Sequence, residues 1–292
     1  MPEPTINNKR PNYDQKNIAD DVTHALNQRL LYFGEFSKDF SKDAIIPGRE
    51  GVFPKVQVKI VNSASLVQKD ATDFRGSNSD AALTDVIMHR YDATWSATVY
   101  ERNNGEKMTD FASTAAKELV LELETDFMAI LDGNKSVEIV EVSNLDTFGP
   151  KDITRKIRHR INPVVDCVVL DPAYYSNLIP TDMVGMPLRT GAFGVNTISE
   201  ASNAAAAITE NESAVAAGFA ATKRGIAVAT RLPIVDNALN IQTEIITLTN
   251  GMSFLLKKWG DDNTETVYYS LSIMAGFAIH DVEAVKKLKP VS

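Results

Sequence analysis

Asp166, Cys167 and Asp171 stand close together in VVDCVVLDP, a short way after Arg155, and these are residue types from which an acid–base or nucleophilic site can be built. Taken as chemistry, they would line the cleft of an α/β enzyme. Each also has a plainer reading. Cys167 sits inside an apolar run, whereas a nucleophilic thiolate needs an electropositive, accessible setting, so a buried structural thiol is expected. Asp166 reads as a strand-edge charge, and Asp171, followed by Pro172, as a helix cap. Two carboxylates without a pocket do not make an acid–base pair. His24, His89, His159 and His280 are scattered without metal-ligand spacing. The chain contains no G-x-x-x-x-G-K-[ST] phosphate loop, no G-x-G-x-x-G and no G-x-S-x-G elbow. The expectation is a protein with no catalytic residues, no metal and no cofactor.

Charge is concentrated in two places. Arg155, Lys156, Arg158, His159 and Arg160 occupy a helix whose apolar stripe is Ile153, Ile157 and Ile161. They form a solvated face, a set of subunit salt bridges around an assembly axis, or a patch facing DNA. Glu118, Glu122 and Asp126 recur every four residues on a second helix, a spacing at which like charges repel mildly. That row is either solvated or met by counter-charge from a neighbouring chain. The whole chain is acidic, −8 with a pI near 5.1, which argues against a surface built to grip phosphate backbones. With 292 residues and 44% hydrophobic content it can bury a sizeable core in one or two domains. One cysteine excludes an intrachain disulfide and a cysteine-cluster zinc site. Residues 1–17 are polar, without a signal-peptide core, and no apolar run approaches a membrane span; synthesis and retention in a cytoplasm are expected.

The elements that would carry these charges follow from periodicity. Residues 1–17 read as an arm. Ile18, Val22, Leu26 and Leu30 mark an amphipathic helix, and Phe33, Phe36 and Phe40 an aromatic tether. Residues 52–61 predict one strand and 83–100 its partner, with Tyr91, Ala93, Trp95, Ala97 and Val99 on one face. The polar stretch between them is too long for a hairpin turn and reads as an arm reaching another subunit. Phe111, Ala115, Leu119, Leu123, Phe127 and Leu131 predict a helix over 109–132, capped by Thr109 and stopped by Gly133. Pro150 opens the basic helix, 164–170 is a strand covered on both faces, and Asp171–Pro172 starts another helix. A strand is expected near Phe193–Ile198, and the Ala-rich 214–231 reads as mostly helical. Beyond it, IQTEIITLT, a type I′ turn at Asn250-Gly251, SFLLKKW and the alternating Val267–Ala275 make a meander. Asp281 caps a terminal helix ending in KKLKP.

This order of elements resembles the major capsid protein of tailed double-stranded DNA bacteriophages, a fold shared with encapsulin compartments. ITRKIRHRINPVVDCVVLDPAYYSNLI resembles the family's axial helix–strand–helix, GFAATKRGIAVATRLP the segment leaving that domain, and YYSLSIMAGFAIHDVEAVKKL its closing strand and terminal helix. The resemblance implies an α+β fold with five parts. These are an N-terminal arm (1–50), an extended β-hairpin loop (51–103), and a spine helix with peripheral sheet (104–144). A central axial α/β domain (145–240) follows, then returning peripheral strands with a C-terminal helix (241–292).

The implied function is a shell protein that assembles into pentamers and hexamers around double-stranded DNA, without sequence-specific contact. Its location would be the virion, and the host cytoplasm during assembly. No membrane is involved. The rivals are an encapsulin-type shell around a cargo enzyme, and an α/β enzyme using Asp166, Asp171 and Arg155. Relatives often carry an N-terminal scaffolding region; the short arm here implies a separate scaffolding protein or none, beside a portal. No pattern marks a Lys–Asn crosslink. Lys69, Asp70, Asp73 and Arg75 in the loop, and Glu118, Glu122 and Asp126 on the spine, are the expected intersubunit contacts, with Arg155, Arg158 and Arg160 as axial-domain contacts.

Overall fold

A computed structural model describes residues 15–27, 29–39, 55–63, 80–98, 100–101, 108–161, 165–179, 193–207, 216–234, 241–261 and 263–291. Helix α1 (Gln15–Asn27) buries Ile18, Ala19, Val22 and Leu26, the expected stripe. A 3₁₀ turn at Leu31–Glu35 then buries Tyr32 and Phe33, and β1 (Ser37–Asp39) follows. Most of the predicted N-terminal arm, the 64–79 loop and Phe40 lie outside the described residues.

Strands β2 (Lys55–Ser63) and β3 (Asp80–Ile87) form an antiparallel ribbon with Lys55 opposite Ile87 and Ile60 opposite Ala82. The single strand expected over 83–100 is two strands. β4 (His89–Thr98) leaves the ribbon at Met88 and joins a different sheet. The cause is a crossing: β3 passes directly over Gly276 of the strand beneath, where a Cβ would sit 2.2 Å from the Ile87 carbonyl oxygen. Val58, Ile60, Val86 and Met88 pack there against Ala227 and Ala229 of the chain's own sheet. The base of the ribbon is therefore held by its own subunit.

Helix α2 runs Met108–Gly133, with Asp110 in its first turn. Its buried face is Ala112, Ala115, Ala116, Leu119, Val120, Leu123, Phe127, Met128 and Leu131, while Phe111 is 43% exposed. The predicted stripe included Phe111 because it advanced by four residues throughout. A helix has 3.6 residues per turn, so steps of four drift by roughly 40° each and carry the first member off the face. α2 packs on α1, on β4 and on the Thr266–Ile279 strand of the C-terminal meander.

β5 (Glu138–Val142) precedes the basic segment, which starts helical at Pro150 but winds as a π-helix over Asp152–Ile157 and a 3₁₀ turn over Arg158–Arg160. Ile153, Ile157 and Ile161 are buried as predicted. β6 (Cys167–Leu170) is buried throughout, and α3 (Pro172–Ser176) is capped by Asp171, whose carboxylate accepts from the Ala173 amide at 2.9 Å. β7 (Thr197–Glu200) and a 3₁₀ turn at Ala204–Ala207 follow.

The helix expected over 214–231 is instead two strands, β8 (Gly218–Ala221) and β9 (Ile226–Arg231). Both are buried along their full length, and tertiary packing overrides the helical preference of alanine. Gly218 has φ +140°, and a Cβ there would lie 2.0 Å from the Val169 carbonyl oxygen. Only a residue without a side chain lets β8 start beside β6.

β10 (Gln242–Thr247), β11 (Ser253–Asp261) and β12 (Thr266–Ile279) form the predicted meander. The type I′ turn is absent, because Gly251 has a positive φ (+85°) and Asn250 does not. Asn250 instead accepts from the Met252 amide and donates to the Leu30 carbonyl at 2.6 Å, tying the turn to the end of α1. The C-terminal helix is also absent. Asp281 caps only a 3₁₀ turn at Val282–Ala284, and KKLKP belongs to β13 (Val285–Pro290). Its lysines are accommodated individually, Lys286 on Glu138 at 2.9 Å and Lys287 on the Asp132 carbonyl at 3.1 Å.

Two sheets result. One runs β1-β9-β12-β11-β10 with β4 along the other edge of β12; the second runs β5-β13-β8-β6-β7. Leu123 is fully buried at the centre of the α2 face. Leu123→Ala is expected to lower the unfolding free energy by about 2–5 kcal/mol in a urea titration of the subunit. Wild-type stability would show that α2 is not packed as described.

Candidate intersubunit surfaces

The residues of the enzyme reading have structural tasks. Asp166 accepts from Asn196 Nδ2 and from the Lys223 amide, both at 2.8 Å, and so joins the loops around β7 and β8. Asp171 caps α3. Cys167 is buried, and burial, reinforced by the nearby Glu35 and Asp166, pushes its thiol well up. Among the described residues no group of three His, Cys, Asp or Glu side chains is placed to hold a metal ion.

The acidic row of α2 faces a groove of about 590 Å³ whose other wall is the start of β4, His89 to Thr94. Glu118 and Glu122 are exposed and in no ion pair among the described residues. Asp126 accepts from the Tyr91 hydroxyl at 2.6 Å. Burial first, then Asp126 and Glu122, pushes the Tyr91 phenol far up, so it remains a donor at any working pH. On the neighbouring face Asp92 binds Arg90 at 2.6 Å and accepts from Ser272. Burial works against its charge, but those two partners hold its carboxyl below the usual range. The groove is open, concave and negative. Lys69 and Arg75, expected to meet it, and the loop's other expected contacts, Asp70 and Asp73, lie outside the described residues.

Two of the three arginines share a groove, and Arg158 points elsewhere. Arg160 reaches Glu138 at 3.6 Å. Arg158 lies over Gly194, where a Cβ would come 2.6 Å from its Nη1. Arg155, with Lys156, His159 and Arg160, lines a second groove of about 480 Å³ against Glu138–Glu141 of β5. In the same segment Asp152 accepts from Lys156 (2.8 Å), the Ser143 amide and hydroxyl, and the Gly149 amide (3.1 Å). Burial would raise this carboxyl, but the bonds from Lys156 and Ser143 outweigh it and hold it low.

Two residues escaped the sequence reading. Glu35 accepts from Thr197 Oγ1 at 2.6 Å and pairs with Lys223 at 3.1 Å, bracing the segment after α1 on the second sheet. Glu124 is a buried carboxyl on α2, between Leu123 and Phe127 in sequence. A helical projection of LVLELETDF places it on the apolar face, and that was the available signal.

No protein-family model matches this sequence, and no curated protein does. Solved structures do match. The virus-like particle from Pyrococcus furiosus superposes with a TM-score of 0.51, covering 94% of this chain and 98% of that one at 14% identity. The chain has the phage capsid fold. The capsid of the cyanophage P-SCSP1u matches at a TM-score of 0.49 (10% identity, 88% and 86% covered), and that of the empty GTA particle at 0.47 (11% identity, 92% and 90% covered). The resemblance read from the sequence stands at the level of fold. Within the capsid fold, the basic segment and its groove sit on the five-stranded sheet, and the acidic groove on the meander sheet with α2.

Asp152→Asn should destabilise the subunit by about 1–3 kcal/mol at neutral pH, because donors arranged for a carboxylate lose their acceptor. The difference should persist above the ordinary aspartate range and fade as pH falls through the lower folded value, where wild type also takes up its proton. Denaturant midpoints at pH 7 and pH 3 check both parts.

Proposed function

We propose that this chain is a major capsid protein that assembles into pentamers and hexamers and closes an icosahedral shell around double-stranded DNA, with no enzymatic role. The observation that carries this reading is the extent of the fold likeness to one particle-forming subunit, 94% of this chain against 98% of that one. The acidic balance suits a shell that encloses nucleic acid without clamping it. In this reading the parts are an arm (1–50), an extended loop (51–103), a spine (104–144), an axial domain (145–240) and a return (241–292). The particle is the site of action, the host cytoplasm the place of assembly, and a portal and a separate scaffolding protein its helpers.

Lys69 and Arg75 of one subunit meet the Glu118, Glu122 and Asp126 row of the next, and Asp70 and Asp73 make the other rim contacts of the loop. That row lines an open groove, and Glu118 and Glu122 have no cation partner within the described chain. Each exposed pair is worth only about 0–1 kcal/mol, but a closed shell repeats it at every subunit. Arg155, Arg158 and Arg160 contact neighbours around the capsomer axis.

A second reading, an encapsulin-type compartment around a protein cargo, is favoured by the same neighbour being a virus-like particle named for Pyrococcus furiosus rather than for a phage. Purified particles separate the two: nuclease-protected DNA inside supports the capsid, a co-purifying internal protein the compartment. Negative-stain images showing only monomers or dimers would overturn both. Replacing 66–80 by a short Gly-Ser turn should leave a folded subunit, by circular dichroism, that forms no shells. Glu122→Lys should weaken assembly, and Arg75→Glu in the same chain should partly restore it; normal shells from the loop deletion would end the contact assignment.

A further inference from the structure

Glu124 is 1% exposed, on the face of α2 that packs into the core. Tyr32 donates to its Oε1 over a long 3.4 Å, and its Oε2 is buried without a partner. The nearest cation, Arg29, is beyond ion-pair distance and spends a hydrogen bond on Ser202 Oγ at 3.3 Å. The amides of Ser202 and Asn203 also favour the charged form, by less than burial opposes it. Behind Tyr32 lies Cys167 of β6. A carboxylate here is therefore poorly compensated, and a carboxylic acid fits.

The position matters because three pieces of chain close on it. The Leu31–Glu35 turn brings Tyr32. The end of α1 brings Arg29. The 201–207 segment is laid on α2 by Asn203, whose Nδ2 donates to Thr125 Oγ1 at 2.7 Å, and by buried Ala201, Ala204 and Ala207. We propose that Glu124 is a proton-operated latch: uncharged, it lets the Leu31–Glu35 turn and the 201–207 segment close on α2, and its ionisation, with the proton passing to water, loosens that junction.

Burial raises this carboxyl from 4.5 to about 7, with Arg29 and Tyr32 pulling back part of the rise. Below 4.5 both the closed and the opened junction carry the proton and pH has no effect. Between 4.5 and about 7 the opened form ionises first, so closure weakens as pH rises, and above 7 the weakening is complete. The latch belongs to the folded subunit, so its failure and the failure of shell assembly are separate results.

Hydrogen–deuterium exchange of the 201–207 amides, normalised for intrinsic rates, tests it at pH 5.5 and pH 8. The opening equilibrium should rise on the order of 20-fold in wild type and stay within about twofold in Glu124→Gln. An equal rise in both would overturn the latch. Independently of whether that variant folds, the Glu124 carboxyl carbon of the wild-type subunit can be followed by NMR. Titration near 7 supports the proposal, and titration at the ordinary 4.5 overturns it.

Discussion

Phe127 is the point on which the arrangement depends. Its ring contacts Phe33 (5.2 Å between centroids), Phe219 (5.4 Å), Phe277 (5.4 Å) and Tyr32 (6.1 Å), at tilted or edge-on angles that aromatic quadrupoles favour. These rings come from the turn after α1, from β8 of the five-stranded sheet, and from β12 of the meander sheet. Each pair adds about 0.5–1.5 kcal/mol beyond the area it buries. One side chain on the long helix thus fixes the position of both sheets and of the segment leading out of the arm.

Much of this was legible because it is local. The alternation of Tyr91, Ala93, Trp95 and Ala97, the apolar run of α2 and the Asp171–Pro172 start of α3 are set by neighbours in sequence, and each lies where periodicity placed it. The misses are long-range. Nothing near Met88 announces that the chain will change partners, since the cause is Gly276, far along the chain. The Ala-rich stretch around Gly218, Ala220 and Ala221 looks helical in composition, yet it pairs as a strand between β6 and β13. KKLKP looks like a soluble helix end until Glu138 and the Asp132 carbonyl are set beside it.

The candidate contact residues follow the same division. The acidic row was readable because α2 is a regular helix, so four-residue spacing brings Glu118, Glu122 and Asp126 to one side. The arginines were harder. A π-helix closes its bonds over five residues rather than four, and a 3₁₀ turn over three, so passing from one to the other at Arg158 rotates the side chains that follow. Arg158 consequently points to Gly194, away from the groove that Arg155 and Arg160 share beside Glu138.

The crossing at Gly276 has a mechanical side. β2 spans nine residues, about 30 Å of ribbon. A pivot error of ten degrees at the contact would swing the far end sideways by roughly 5 Å, which is a full interstrand spacing. Backbone lying directly on backbone, with no side chain between, leaves almost no play in that joint. The missing methyl group of one glycine therefore acts as an alignment tolerance for a lever, and sets how accurately anything carried at its end can be aimed.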